Sequence, residues 1–250
     1  MLTPAAALAA LTLLTAPPTD GVDVLRAVHA KYAGKWFTSM TFVQKTTFLN
    51  GRVQTWYEAM EVPGKLRIDM APASAGQGML FRNDTIYRFA GGKMAPARAL
   101  KHPMLILLHD VHAAPLDTTV AKLRSLGFDL SKTYESTWEG KPVIVVGALA
   151  GDTTSSQFWL EKERMLLVRL IDPTMDARFS GYAKHGSAWV EGRIEVWQKG
   201  KLVQLEEYTD VKTNVKHEPG LFDPARTATP AWVGAGEERW PAPPPPPPGG

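Results

Sequence analysis

The sequence predicts an α+β protein: a curved antiparallel sheet left open as an incomplete barrel, with a helix before it and a helical insert across its mouth. Three observations carry this. From Phe37 to Phe89, alternating segments follow one another with turn residues between them at Asn50-Gly51, Pro63-Gly64 and Asn83-Asp84, the pattern of a strand meander. Between Ala97 and Leu126 the apolar period becomes that of a helix. After Leu130 the alternation resumes and runs to Val211, so the helices interrupt one sheet and do not divide two domains.

Taken in order, Asp20 is placed to cap a helix whose stripe is Val24, Leu25, Val28 and Tyr32, and Gly34 ends it. Asn50-Gly51 predicts a tight hairpin in which both residues take positive φ. In the third strand Leu66, Ile68 and Met70 alternate with Lys65, Arg67 and Asp69, which predicts an apolar row facing inward and a charged row in solvent. Gly91-Gly92 closes the first run of five strands. Pro103 suits the first position of a helix containing Met104 to Leu108, and a second helix opens after Pro115 with Leu116, Val120 and Leu123 on one side. Strands are then expected over Pro142–Leu149, Gln157–Glu161, Met165–Ile171, Arg193–Gln198 and Leu202–Val211. An antiparallel sheet with one wet face has one apolar face to cover, so the helical pair is expected across the concavity.

The 250 residues, 44% of them hydrophobic, suffice for a single core. Residues 1–19 read as an export leader: Met1 to Ala16 is an Ala/Leu-rich run before Pro17-Pro18, too short to span a bilayer, although no basic residue precedes it. The folded domain is expected over 20–224, and 225–250, ending in a proline run, as a solvated tail. A net charge of +3, with basic residues dispersed along strands, argues against a nucleic-acid partner and is compatible with weak attraction to anionic lipid headgroups. The chain has no cysteine, which excludes disulfides, thiolate metal sites and a lipid-modified cysteine.

An open barrel closed by helices makes an apolar concavity, the usual form of an acyl-chain site. Its expected lining is Phe42, Leu66, Ile68, Met70 and Met79 from the first strands. Phe81, Leu105, Leu108 and Trp159 complete it. The same side chains would equally fill a solid core. Met60, Met70, Met79, Met94, Met104 and Met165 suit an adaptable apolar surface, and methionine is also an ordinary gap-filler. His102, His109 and His112 recur at helical spacing, but they lack a His-Glu-x-x-His pattern and a second group of ligands, so no metal or other cofactor is expected. No nucleophile elbow, phosphate loop or spaced carboxylate pair is present. Gly76-Gln77-Gly78 reads as a plain loop, and the strand neighbours Glu206 and Glu207 face opposite sides. No catalytic residue is expected.

The order of these segments resembles the LolA/LolB-like periplasmic lipoprotein-sorting proteins. It runs through the first helix, Phe42-Val43-Gln44-Lys45, the hairpin, Pro63-Gly64-Lys65-Leu66-Arg67, Thr85-Ile86-Tyr87-Arg88-Phe89, the helical insert, Phe158-Trp159-Leu160-Glu161 and the closing Leu221-Phe222-Asp223-Pro224. Val62 stands where many sorting carriers have an arginine, a departure from the pattern. The resemblance implies a monomeric periplasmic carrier that binds a lipid or lipidated protein without altering it, with a lid less stably held than the sheet and transient contact with a membrane or a membrane-bound partner. A lipid-sensing interaction protein of the same fold, or a hydrolase using the same cleft, is the alternative.

Overall fold

The structure, a computed structural model, describes residues 20–230 and 232–233. The expected leader and the proline run lie outside the described residues. Helix α1 (Gly21–Tyr32) starts where Asp20 accepts a 2.9 Å hydrogen bond from the Asp23 amide, as the sequence predicts. Five strands follow: β1 (Ser39–Phe48), β2 (Val53–Glu61), β3 (Lys65–Met70), β4 (Gln77–Arg82) and β5 (Thr85–Ala90). Two short pieces then pair with β5, β6 (Lys93–Met94) and β7 (Arg98–Ala99). The expected helical stretch from Ala97 therefore starts later, with α2 (Pro103–Leu108), a single 3-10 turn at Asp110–His112, and α3 (Leu116–Ser125). Nine strands complete the chain. They are β8 (Thr133–Trp138), β9 (Lys141–Val146), β10 (Gln157–Glu161), β11 (Leu166–Asp172), β12 (Met175–Ser180), β13 (Ala183–His185), β14 (Ala188–Val190), β15 (Arg193–Gln198) and β16 (Lys201–Thr213).

Fourteen strands form one antiparallel sheet in the order β6-β5-β4-β3-β2-β1-β16-β15-β12-β11-β10-β9-β8, with β7 also on β5; β13 and β14 form a separate hairpin. The long β16 returns to pair with β1, so the two meanders join at the middle of the sheet while β6 and β8 stay unpaired edges. The barrel is thus unclosed, as expected. At Asn50-Gly51 only Gly51 has positive φ, and Phe48 and Arg52 pair across a three-residue loop in which the Gly51 amide donates to the Phe48 carbonyl at 2.8 Å. The two-residue turns with paired positive φ are Asn83-Asp84, Gly91-Gly92, Glu139-Gly140 and Lys199-Gly200.

Cross-strand register sets which side chains face the concavity. The helices fill its β9–β15 half: Val24, Leu25 and Val28 of α1, Ile106 to Leu108 of α2 and Val120 and Leu123 of α3 pack with Ile144, Phe158, Leu170, Phe179 and Ile194. The other half, over β1 to β5, holds a second cluster in which Leu66, Ile68 and Met70 face inward with Phe42, Met60 and Phe81, and Leu105 comes down from α2.

The outer row of β3 corrects an expectation. Arg67 and Asp69 are 1% and 3% exposed, because the segment after β16 folds back over this side of the sheet. Leu221 and Phe222 pack on Ala59 and Leu80, and Val233 packs on Val43 and Tyr57. Arg67 forks onto Asp69 at 2.8 and 2.9 Å and donates to the carbonyls of Leu221, Arg226 and Ala228. Residues beyond 224 that were expected to lie outside the fold therefore belong to it in part. On the other half of the sheet the outer face is polar and partly exposed, with charged side chains laid over tryptophans. There Arg169 lies over Trp138 and Trp159, Arg178 lies over Trp138 and Trp197, and Asp176 takes two hydrogen bonds from Arg169.

A cavity between the sheet and helix α2

Between α2 and the inner face of β1–β4 lies a cavity of about 220 Å³. Its floor is Phe42 and Gln44 of β1, Trp56, Glu58 and Met60 of β2, Leu66 and Ile68 of β3, and Met79 and Phe81 of β4. Its roof is His102, Met104, Leu105, Leu108 and His109, and its side wall is Glu191, Ile194, Gln204, Glu206 and Tyr208. Seven of the nine residues picked from the sequence meet here: Phe42, Leu66, Ile68, Met79, Phe81, Leu105 and Leu108.

Met70 shares their inward row and apolar cluster but sits one residue pair past the cavity, between Trp56 and Gln77. Trp159 is on the opposite face of the sheet. Phe158 and Leu160 take the inner face of β10, and Trp159 packs outside with Val143, Val145 and Trp138. All five residues of β10 are buried, so the strand shows no alternation from which its inner row is legible. Of the six methionines, Met60, Met79 and Met104 line the cavity, Met70 and Met165 pack in the core, and Met94 is exposed.

The roof is held by polar contacts. His102 caps α2, its Nδ1 accepting from the Leu105 amide at 3.3 Å, and its ring stands edge-on to Phe81. Asp110 accepts a 2.8 Å hydrogen bond from the Gly64 amide, tying the turn after α2 to the β2–β3 turn. Burial raises its carboxyl to about 6 although that bond opposes the shift. Lys122 of α3 pairs with Asp84 at 2.5 Å, and His109 Nε2 lies 3.4 Å from Glu191. The three histidines all point inward. His112 stacks on Trp36 at 3.6 Å, and burial holds it well below the ordinary histidine range. His102 is lowered to about 4, also by burial. Among the described residues, no three His, Asp or Glu side chains are placed to hold a metal ion.

Three carboxylates that the sequence did not single out as a group also converge on this apolar space. Glu58, Glu191 and Glu206 are 3%, 2% and 6% exposed. Glu206 accepts from Gln204 at 2.6 Å and Tyr208 at 3.3 Å; burial, with Glu191 nearby, lifts it to about 7. Glu58 is raised well above the ordinary range by burial first and then by Glu206 and Glu191, and its Oε1 has no hydrogen-bond partner. Glu207, on the outer side, pairs with Lys45 and Arg193, so the two neighbours do face opposite sides. The signal that could have found the group is the inward parity of β2 and β16: Glu58 falls in the row of Trp56 and Met60, and Glu206 in the row of Gln204 and Tyr208.

No protein-family model matches the chain, and no curated protein does. Solved structures are similar in shape. A DUF1329 family protein from Desulfovibrio piger ATCC 29098 is 13% identical over 81% of this chain and 95% of its own, with a TM-score of 0.53. The LolA superfamily protein NE2245 from Nitrosomonas europaea is 11% identical over 77% of this chain and 94% of its own, with a TM-score of 0.48. The likeness to the DUF1329 protein shows a shared fold, the unclosed sheet with helices in its concavity, across most of the chain. Among the described residues no helix is long and apolar enough to cross a membrane.

Proposed function

We propose that this chain is a periplasmic carrier that takes an acyl chain of a lipid or lipidated protein into the cavity under α2 and gives it up unaltered. The observation that carries the reading is the run of apolar side chains from four adjacent strands, Phe42, Met60, Leu66, Ile68, Met79 and Phe81, facing Leu105 and Leu108 across an unfilled space. Each buried methylene would contribute about 0.8 kcal/mol, so hydrocarbon alone supplies affinity and no catalytic group is needed. At about 220 Å³ the cavity is below the roughly 300–1,000 Å³ of ordinary small-molecule sites. Uptake of a whole chain then requires α2 to withdraw. The polar contacts that must yield are Asp110 with Gly64, Lys122 with Asp84 and His109 with Glu191. Leu105 to Leu108 of α2 are buried as well, so withdrawal also uncovers their apolar packing and the bound chain must replace it.

The test is binding of a fluorescent acyl chain to the wild type, Ile68→Glu and Ile68→Trp, with circular dichroism as the folding control. The glutamate puts an unpaired charge in the cavity, worth several kcal/mol, and is expected to weaken binding by about two orders of magnitude or more. The tryptophan fills the space without charge and is expected to weaken binding while the fold is kept. Failure of the wild type to bind any lipid or lipopeptide, or full binding by a folded Ile68→Trp, would rule the carrier reading out.

A further inference from the structure

An acyl-chain site needs no carboxylates, yet this cavity has three. No lysine or arginine lines it; its other titratable groups are His102 and His109 on α2 and Tyr208 on β16. Two polar atoms on its lining side chains have no hydrogen-bond partner, Glu58 Oε1 and His109 Nδ1, and both residues are at least nine-tenths buried. A buried, unsatisfied carboxylate oxygen is costly, and a hydrocarbon ligand would leave it so. A cation would satisfy it. The carboxylates are not placed to share one metal ion, which favours a larger organic cation bearing several donors or a spread charge. Aromatic rings line the same cavity: Phe42 and Tyr208 are 4.4 Å apart at their centroids, and Trp56 is in the floor with Phe42. Carboxylates with ring faces are the surroundings in which ammonium groups are held.

We propose that the cavity selects amphiphiles with a cationic amino headgroup, the ammonium sitting among Glu58, Glu191 and Glu206 and the hydrocarbon lying on Leu66, Ile68, Met79 and Phe81. This rests on the carrier reading above and adds the ligand's chemical class. Burial first, and neighbouring carboxylates after it, raise both Glu58 and Glu206, the latter to about 7; an arriving ammonium favours their ionised forms and displaces protons. Affinity for such a ligand therefore rises with pH through about 7, where Glu206 titrates. His102, lowered to about 4, stays neutral there and does not compete.

The experiment titrates the full chain with dodecylammonium, dodecanol and dodecanoate, each below its micellar concentration, at pH 6 and pH 8. The amine is expected to bind at least tenfold tighter than the alcohol at pH 8, by a smaller margin at pH 6, and the carboxylate weakest. Glu58→Gln and Glu206→Gln, which keep shape and remove charge, are expected to cost the amine about tenfold each and the alcohol severalfold less. A lysophosphatidylethanolamine and a lipopeptide with a free terminal amine, each run against its N-acetylated form, tell a lipid headgroup from a peptide amine; loss of binding on acetylation of either supports the proposal. Equal binding of amine and alcohol, with the glutamine variants unchanged, overturns it and leaves the carrier reading intact. Binding of none of the three chains removes both.

Discussion

Replacing Arg67 with alanine is expected to destabilise the protein by about 3–5 kcal/mol, the range seen when one member of a buried ion pair is removed. Arg67 is 1% exposed, spans Asp69 with two hydrogen bonds and holds the carbonyls of Leu221, Arg226 and Ala228. It also lies 5.0 Å from the Phe89 ring centroid. Alanine leaves the Asp69 carboxylate and three carbonyls without their donor. Arg67→Lys should recover little, since a single ammonium does not reproduce the planar fork. Burial already raises the Asp69 carboxyl despite the arginine; without it the group takes up a proton more readily, so the loss is expected to be smaller at pH 5 than at pH 8. Urea unfolding at both pH values measures this, and limited proteolysis after residue 218 reports whether the closing segment has come off the sheet. A loss below about 1 kcal/mol would mean that the segment is held by Leu221 and Phe222 and not by the arginine.

That arginine also marks the limit of what the sequence discloses. The alternation of β3 correctly puts Leu66, Ile68 and Met70 inside, because side-chain parity is a local property of a strand. Whether Arg67 and Asp69 meet water depends on a segment more than 150 residues away, whose prolines and turn residues carry no periodic signal. Parity alone also fails at β10, where both faces are covered and Trp159 is buried like Phe158 and Leu160. The apolar part of the cavity was legible because it comes from sequential hairpins. Its polar part was not, since Glu58 is on β2, Glu191 in the link between β14 and β15 and Glu206 on β16, and β16 reaches β1 only after the whole second meander. Similarly, the helical spacing of the histidines was visible, but not the aromatic wall of Trp36 and Phe37 that draws His109 and His112 inward.

The buried carboxylates should also make the protein less stable as pH rises, and Glu206→Gln should remove part of that loss. Glu206 has an ordinary value of 4.5 and is lifted to about 7 in the fold, chiefly by burial. Between those values the native state holds a proton that the unfolded chain has released. The group's favourable contribution is therefore complete below about 4.5, falls as pH rises and is gone above about 7. At 1.36 kcal/mol per unit the swing is on the order of 3 kcal/mol. Glutamine keeps the shape, accepts from Gln204 through its carbonyl and offers an amide to the Tyr208 oxygen. Urea midpoints at pH 5 and pH 8 should therefore show the variant near wild type at pH 5 and about 2–3 kcal/mol more stable at pH 8. Glu58→Gln should act in the same direction, because burial and the same two neighbours raise Glu58 as well. A variant with the same pH slope as wild type would mean that Glu206 is ionised and solvated in the native state. If the slope does flatten, the wild-type carboxyl costs stability at neutral pH without bracing the fold, and its value to the protein must lie in what the cavity holds.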